Sequence, residues 1–281
     1  MSNTQSIIRA ERFIIEIAPQ QIDEFYLIAD KLTPGSRVSL AYHSKASLAE
    51  HVRAARRLNE LGFRPWPHIA ARHLRSVKEL DDFLNALVTK SNIDRCVIIA
   101  GHIPHPEGPF SDSLDVINSG LLQKYKLKEI AVAGHPSGHL NLSPSCLSTL
   151  LHQKIHAITR AGMNASIITQ YELEAAATLS WIEDLRKQGI DAPVYIGMLG
   201  PAEAEILARI VKSCDSFPSQ SAQKNYGLFS GAGTFITPDK LMNEYSSQLN
   251  TVVHGQFDFH IAYGKLNDIA SWVEQWVHFR Q

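Results

Sequence analysis

The sequence predicts one (β/α)8 barrel over residues 1–281, and three observations carry that reading. Short β-branched runs alternate with longer amphipathic stretches, and eight such pairs fit the length of about 250 residues that this architecture needs. The runs are apolar throughout, as in Cys96-Val97-Ile98-Ile99-Ala100, which implies parallel strands covered on both faces. No low-complexity tract or linker divides the chain, so a single domain follows.

Taken in order, residues 12–18 (RFIIEIA) form the first strand and 20–32 a helix with apolar Ile22, Phe25, Ile28 and Leu32. A strand at 37–42 and a helix at 47–61 follow, then a proline-bearing strand at 65–70 and a helix at 76–88 with Ser76 as its N-cap. The fourth strand is 95–101, the fifth 129–134 and the sixth 165–169; their helices are expected at 113–124, 146–161 and 172–188, the last closed by Gly189. A strand at 193–199 leads to a helix at 202–213, a stretch at 215–237 that is mostly loop with room for one helical turn, and a helix at 238–249. Residues 257–262 and 266–279 supply the last strand and helix. An open doubly wound sheet is the alternative, but its first strand should run into a glycine fingerprint; here it runs into Glu16-Ile17-Ala18-Pro19.

Composition excludes several classes. A net charge of -1 gives no field for nucleic acid or anionic lipid, and no apolar run is long enough to span a bilayer. The first nine residues are polar, so no signal peptide is expected and the predicted location is cytoplasmic. Cys96, Cys146 and Cys214 are too scattered for a disulfide framework or a zinc motif. A homo-oligomer is possible, with Phe63 and Trp66 as contact residues only if they are exposed.

In such a barrel chemistry sits at the C-terminal ends of the strands. Those ends offer Glu16, then Tyr42 and His43, His68 with Arg72 and His73, His102 and His105, His135 and His139, Gln170 and Tyr171, Gly197, and finally His260 and Tyr263. Glu16 interrupts an apolar strand, so burial is expected to raise its pKa and suit it to general-acid work. A zinc site built from Glu16 with His102, His105, His135 and His139 is the competing idea; loop histidines without an acidic neighbour are more often plain hydrogen-bonding groups, and no metal is expected. Gly231-Ala232-Gly233 lacks the strand a phosphate loop needs and reads as a turn. Arg53, Arg56 and Arg57 read as a solvated helix face, and Trp272 and Trp276 as core contacts.

Over residues 10–200 the order of motifs resembles the methylenetetrahydrofolate reductase family of barrel flavoenzymes. The matching pieces are Ile15-Glu16-Ile17-Ala18-Pro19, Val38-Ser39-Leu40-Ala41-Tyr42, Pro67-His68-Ile69 and Gly101-His102-Ile103-Pro104. They continue with Ala133-Gly134-His135-Pro136-Ser137-Gly138-His139, Ala161-Gly162 leading into Ile168-Thr169-Gln170, and Gly189-Ile190-Asp191-Ala192-Pro193 before Gly197-Met198-Leu199. The resemblance implies an oxidoreductase that interconverts 5,10-methylenetetrahydrofolate and 5-methyltetrahydrofolate, with NAD(P)H as hydride donor and FAD as carrier. It implies Glu16 as the acid that protonates the opening imidazolidine ring, and Gln170, His102 and Tyr42 around the folate. It implies His68, Gly101, Gly134, His135, His139 and Lys154 along the flavin. The sequence departs from the family where Arg-Gly-Asp becomes Ala100-Gly101-His102, a threonine becomes Ala41 and a tyrosine becomes His135; four extra residues separate Lys154 from Ala161-Gly162. Three readings stay open: a reductase with a remodelled FAD pocket, a flavin-independent folate one-carbon enzyme, and a folate-binding homologue without turnover.

Overall fold

The computed structural model describes residues 13–213, 219–231, 233–262 and 264–278. Eight parallel strands close into a barrel: β1 (Phe13–Ile17), β2 (Arg37–Leu40), β3 (Arg64–Ala70), β4 (Arg95–Ile99), β5 (Glu129–Gly134), β6 (Asn164–Tyr171), β7 (Val194–Leu199) and β8 (Phe257–Ala262). Each pairs with its neighbours in chain order, and β8 closes on β1 through Phe13–Phe259 and Ile14–His260. The longer helices are α1 (Leu48–Glu60), α2 (Val77–Ser91), α3 (Pro144–Arg160), α4 (Ala175–Lys187), α5 (Ala204–Ser213), α6 (Asp239–Gln248) and α7 (Leu266–His278).

Local chemistry sets the helix ends. The Ser47 hydroxyl accepts from the Glu50 amide at 3.2 Å while the Glu50 carboxylate accepts from the Ser47 amide at 2.7 Å, a reciprocal box that starts α1. The Ser76 hydroxyl caps α2 by accepting from the Glu79 amide, and Asn92 in the left-handed region ends it. Outward strand residues such as Ile15, Val38, Leu40, Ile98 and Val132 pack against these helices in one continuous core. Phe63 and Trp66 are both buried, so neither offers an oligomer contact.

Inward residues form a separate layer: Ile14, Trp66, Val97, Ala131, Ile168 and Tyr195 fill the barrel interior. Below it, toward the N-terminal ends, Arg37 lies 5.2 Å from the Trp66 ring and donates to Glu129 at 3.0 and 3.2 Å, with Arg95 as a second donor to Glu129 at 3.2 Å. This plug closes one end, so any ligand must enter from the other.

Three expected elements differ. In place of a helix over 20–32 the chain makes a 3-10 helix (Pro19–Glu24) and a short α-turn (Tyr26–Ala29), and the buried Ile22, Phe25 and Ile28 recur every third residue, the 3-10 period. The helix over 113–124 is split into Ser113–Asn118 and Leu121–Lys124 by Gly120 at φ 77°. The expected loop at 215–237 contains a helix (Gln220–Tyr226), and its Phe235–Ile236 pairs antiparallel with Ala202–Glu203. Cys214, Ala232 and Tyr263 lie outside the described residues, as does the side chain of Trp276.

Candidate functional site

Strand alternation builds the site. Two residues beyond Ile14 on β1 is Glu16, and two beyond Trp66 on β3 is His68, so both point into the mouth one layer above the apolar plug. Glu16 stands in register with Ser39 of β2, and His260 of β8 stands in register with Ile14 and Gly197. The result is a buried polar floor of Glu16, Ser39, His68 and His260. The Ser39 hydroxyl lies 2.7 Å from His68 Nε2 and donates to Glu16 Oε2 at 3.4 Å. His68 Nε2 and His260 Nε2 approach the same Oε2 at 3.4 and 3.3 Å. His260 Nε2 is close enough to hold the carboxylate charge, but it is not aligned for a hydrogen bond and has no other partner.

The protonation state corrects the expectation drawn from sequence. Burial alone would raise the Glu16 pKa, but the proximity of His260 and His68 and the Ser39 hydroxyl outweigh it, and the carboxyl is held below its ordinary value. Glu16 is therefore a carboxylate at neutral pH. Burial depresses His68 to about 4, against the attraction of Glu16, so its ring is neutral there.

Around this floor the rim divides into two sides. On the β2–β4 side, Tyr42 stacks on His51 at 5.6 Å and meets His73 at 4.7 Å, and His73 meets the exposed His102 at 5.6 Å. Tyr42, Ala70, His73 and Glu107 help line a cavity of about 320 Å³. Gly101 sits at φ +90°, and a side chain there would come within 3.1 Å of His73, so glycine is needed where the β4 loop crosses that ring. Arg72 straps the loop by donating to the carbonyls of Ser111 and Ile103.

On the β5–β6 side, His135 and His139 meet edge to face at 5.4 Å. Burial lowers His135 to about 4, with His139 and Lys154 adding to the effect. Lys154 of α3 is lowered by burial against the opposing pull of Asp112. The β6–β7 pairing slips between Ile168 and Tyr171, and this irregularity places Gln170 at the rim. Thr169 anchors it: its hydroxyl accepts from the Gly197 amide at 2.8 Å and donates to the Gln170 carbonyl at 2.7 Å.

Sequence reasoning assigned no role to two residues here. His260 was on the rim, but only its inward parity with Asp258 could have tied it to Glu16. Glu172 was placed in a helix; the longer β6 puts it instead in the connection before α4, buried, with Ser137 donating to Oε2 and Oε1 unpartnered. Burial pushes its carboxyl up to about 7, against the hydrogen bonding from Ser137 that holds it down.

The zinc site weighed from the loop histidines does not assemble. Among the described residues, the cluster with metal-ligand spacing is Glu16, His68 and His260, not Glu16 with His102, His105, His135 or His139. The flavin that the family resemblance implies also fits poorly. His68 is committed to the floor with Ser39 and Glu16. Gly134 turns its open side to Ile167 and Trp181, where a Cβ would meet atoms at 2.7 and 2.8 Å, and Gly101 turns its own to His73. Only His135, His139 and Lys154 gather, which makes a polar corner and not a wall for an isoalloxazine ring. A surface groove of about 680 Å³ between α1 and α2 lies on the outer face away from this chemistry.

No family model matches the sequence. Solved structures share its architecture. A protein from Clostridium thermocellum, described as binding two copies of 5-methyl-5,6,7,8-tetrahydrofolic acid, superposes with a TM-score of 0.60 over 96% of this chain and 95% of its own at 11% identity. The dihydropteroate synthase of Burkholderia cenocepacia matches with a TM-score of 0.50 over 95% of this chain and 91% of its own at 10% identity. At these identities the likeness establishes the barrel fold. Among the described residues no helix is long and apolar enough to cross a membrane.

Proposed function

We propose that this chain is an enzyme that binds a reduced folate across the barrel mouth and interconverts the methylene and methyl states of its one-carbon unit, as methylenetetrahydrofolate reductases do. The observation that carries the reading is Glu16, an inward carboxylate bracketed by His68 and His260 directly above an apolar plug. Two further lines support it: the ordered motifs shared with that family, and the Clostridium thermocellum barrel that binds a methylated reduced folate.

In the reductive direction a hydride reaches the methylene carbon, the bond from that carbon to N10 breaks, and N10 takes a proton. The reverse releases that proton as N10 closes the ring. Glu16 is the group that moves it. As a carboxylate in the free protein, Glu16 is ready to accept the N10 proton in the oxidative direction. In the reductive direction a pterin lying over the mouth strips away the remaining solvent, which raises the carboxyl's proton affinity. Ser39 and the two histidines keep Oε2 fixed throughout. Neutral His68 orients and does not protonate. The Gln170 amide can donate and accept along a pterin edge, and the Lys154 amine with the His139 ring beside it offers hydrogen-bond donors to the folate's carboxylates. The hydride comes from a nicotinamide, and no step is routed through flavin.

Glu16→Gln tests this, because the amide keeps the shape and cannot carry the proton. Turnover is expected to fall by about 10²–10⁴-fold while 5-methyltetrahydrofolate affinity changes by only a few fold. Unchanged turnover in that variant refutes the assignment.

A further inference from the structure

We propose that Glu16, His68 and His260 together bind one divalent first-row transition metal ion at the floor of the mouth. The ligand atoms are a carboxylate oxygen and two imidazole nitrogens, all on buried residues and all within 4.8 Å of one another. A metal held about 2.0–2.1 Å from each donor sets tetrahedral ligand–ligand edges of about 3.3–3.4 Å. The two edges from Glu16 Oε2 are 3.4 Å to His68 and 3.3 Å to His260. The remaining edge, between the histidine nitrogens, is within 4.8 Å, and their rings stand 24° from parallel with centroids 6.4 Å apart.

Two features of the floor point to a missing ligand and not to a finished hydrogen-bond network. His260 Nε2 is buried with no well-aligned hydrogen-bond acceptor, its near neighbour being Glu16 Oε2 at 3.3 Å. All three approaches, from Ser39, His68 and His260, converge on the single oxygen Oε2. A cation among them satisfies both histidines and the carboxylate at once. The Ser39 hydroxyl, now shared between His68 and Glu16, then serves Glu16 alone as an outer-sphere donor.

Two histidines and one carboxylate are the donor set of hydrolytic zinc and of non-haem ferrous iron, and three protein ligands leave a position open. The strand layer below is apolar and closed, so that position faces the mouth, where a water or a heteroatom of the bound substrate reaches it. The inference deepens the folate reading of the same site, but its geometry stands without it.

The test uses the full-length protein, stripped with a chelator and titrated with Co²⁺ as a spectroscopic probe, and separately with Zn²⁺ and, anaerobically, Fe²⁺. One equivalent of Co²⁺ is expected to give visible d–d absorption and to raise the melting temperature. His68→Ala and His260→Ala are expected to weaken binding by more than the roughly 10–100-fold that an outer-sphere change costs, and Ser39→Ala by no more than that range. His135→Ala and His139→Ala are expected to leave it unchanged. Circular dichroism of each variant confirms folding, and the metal-dependent rise in melting temperature reads binding in the wild type without any variant. Absence of stoichiometric binding, binding that survives both floor substitutions, or loss in His135→Ala overturns the proposal. The relative affinities for Zn²⁺ and Fe²⁺ decide which ion the site takes. Folate titration of the stripped protein separates the two claims: folate binding without metal binding defeats only the metal site, and the converse defeats only the folate reading.

Discussion

Glu172 should make this protein less stable as the pH rises through neutrality. The carboxyl is 1% exposed, at the junction of β6 and α4, and burial lifts its pKa from 4.5 to about 7. Between those values the folded chain holds a proton that the unfolded chain releases, so folding stability falls as pH increases across that window. Evaluating the two binding curves at pH 5 and pH 8 gives a loss of about 2–3 kcal/mol from this one group. Glu172→Gln removes the titration, and the amide can still bond to the Ser137 hydroxyl. Urea denaturation of both proteins at the two pH values measures the effect. The variant should gain about 2–3 kcal/mol relative to wild type between pH 5 and pH 8, a large share of a typical domain's stability. Parallel pH dependence in the two proteins would refute the account of a desolvated Glu172.

Two other perturbations test how the scaffold supports the mouth. Gly197→Ala places a Cβ 2.6 and 2.7 Å from the carbonyl oxygens of Thr169 and Gln170, so it should cost about 1–3 kcal/mol and weaken ligand binding by displacing the β6 irregularity. Thermal melts and folate titration read both effects. Glu129→Ala removes the carboxylate that Arg37 and Arg95 share beneath the plug, leaving them Tyr195 and Asp94, and should cost about 1–3 kcal/mol in a denaturant melt.

The barrel was legible because each strand is a compact apolar run and each helix carries its own cap, both local properties of sequence. The Ser47 and Ser76 caps and the Pro-Gly breaks fall where the chain turns. Glu16 was legible for a related reason: a lone carboxylate in an apolar strand has few structural explanations. Its charge state was not, because it depends on His260, a residue 244 positions away that reaches it only when β8 closes on β1. Glu172 was hidden by a boundary: the slip in β6 extends the strand to Tyr171 and starts α4 at Ala175, and no local pattern announces it. Gly134 and Gly101 read from sequence as ligand-facing positions, and the fold uses their open volume for close approach by Trp181 and His73. A glycine in a motif reports that space is needed and does not say for what.

The most direct measurement is a crystal structure of the wild-type protein soaked with 5-methyltetrahydrofolate. The pteridine should lie across the C-terminal mouth, with Glu16 within proton-transfer reach of the N5–N10 region and the Gln170 amide on the pterin edge. A folate seated only in the outer groove between α1 and α2, or a mouth that stays empty at saturating ligand, would contradict the central claim.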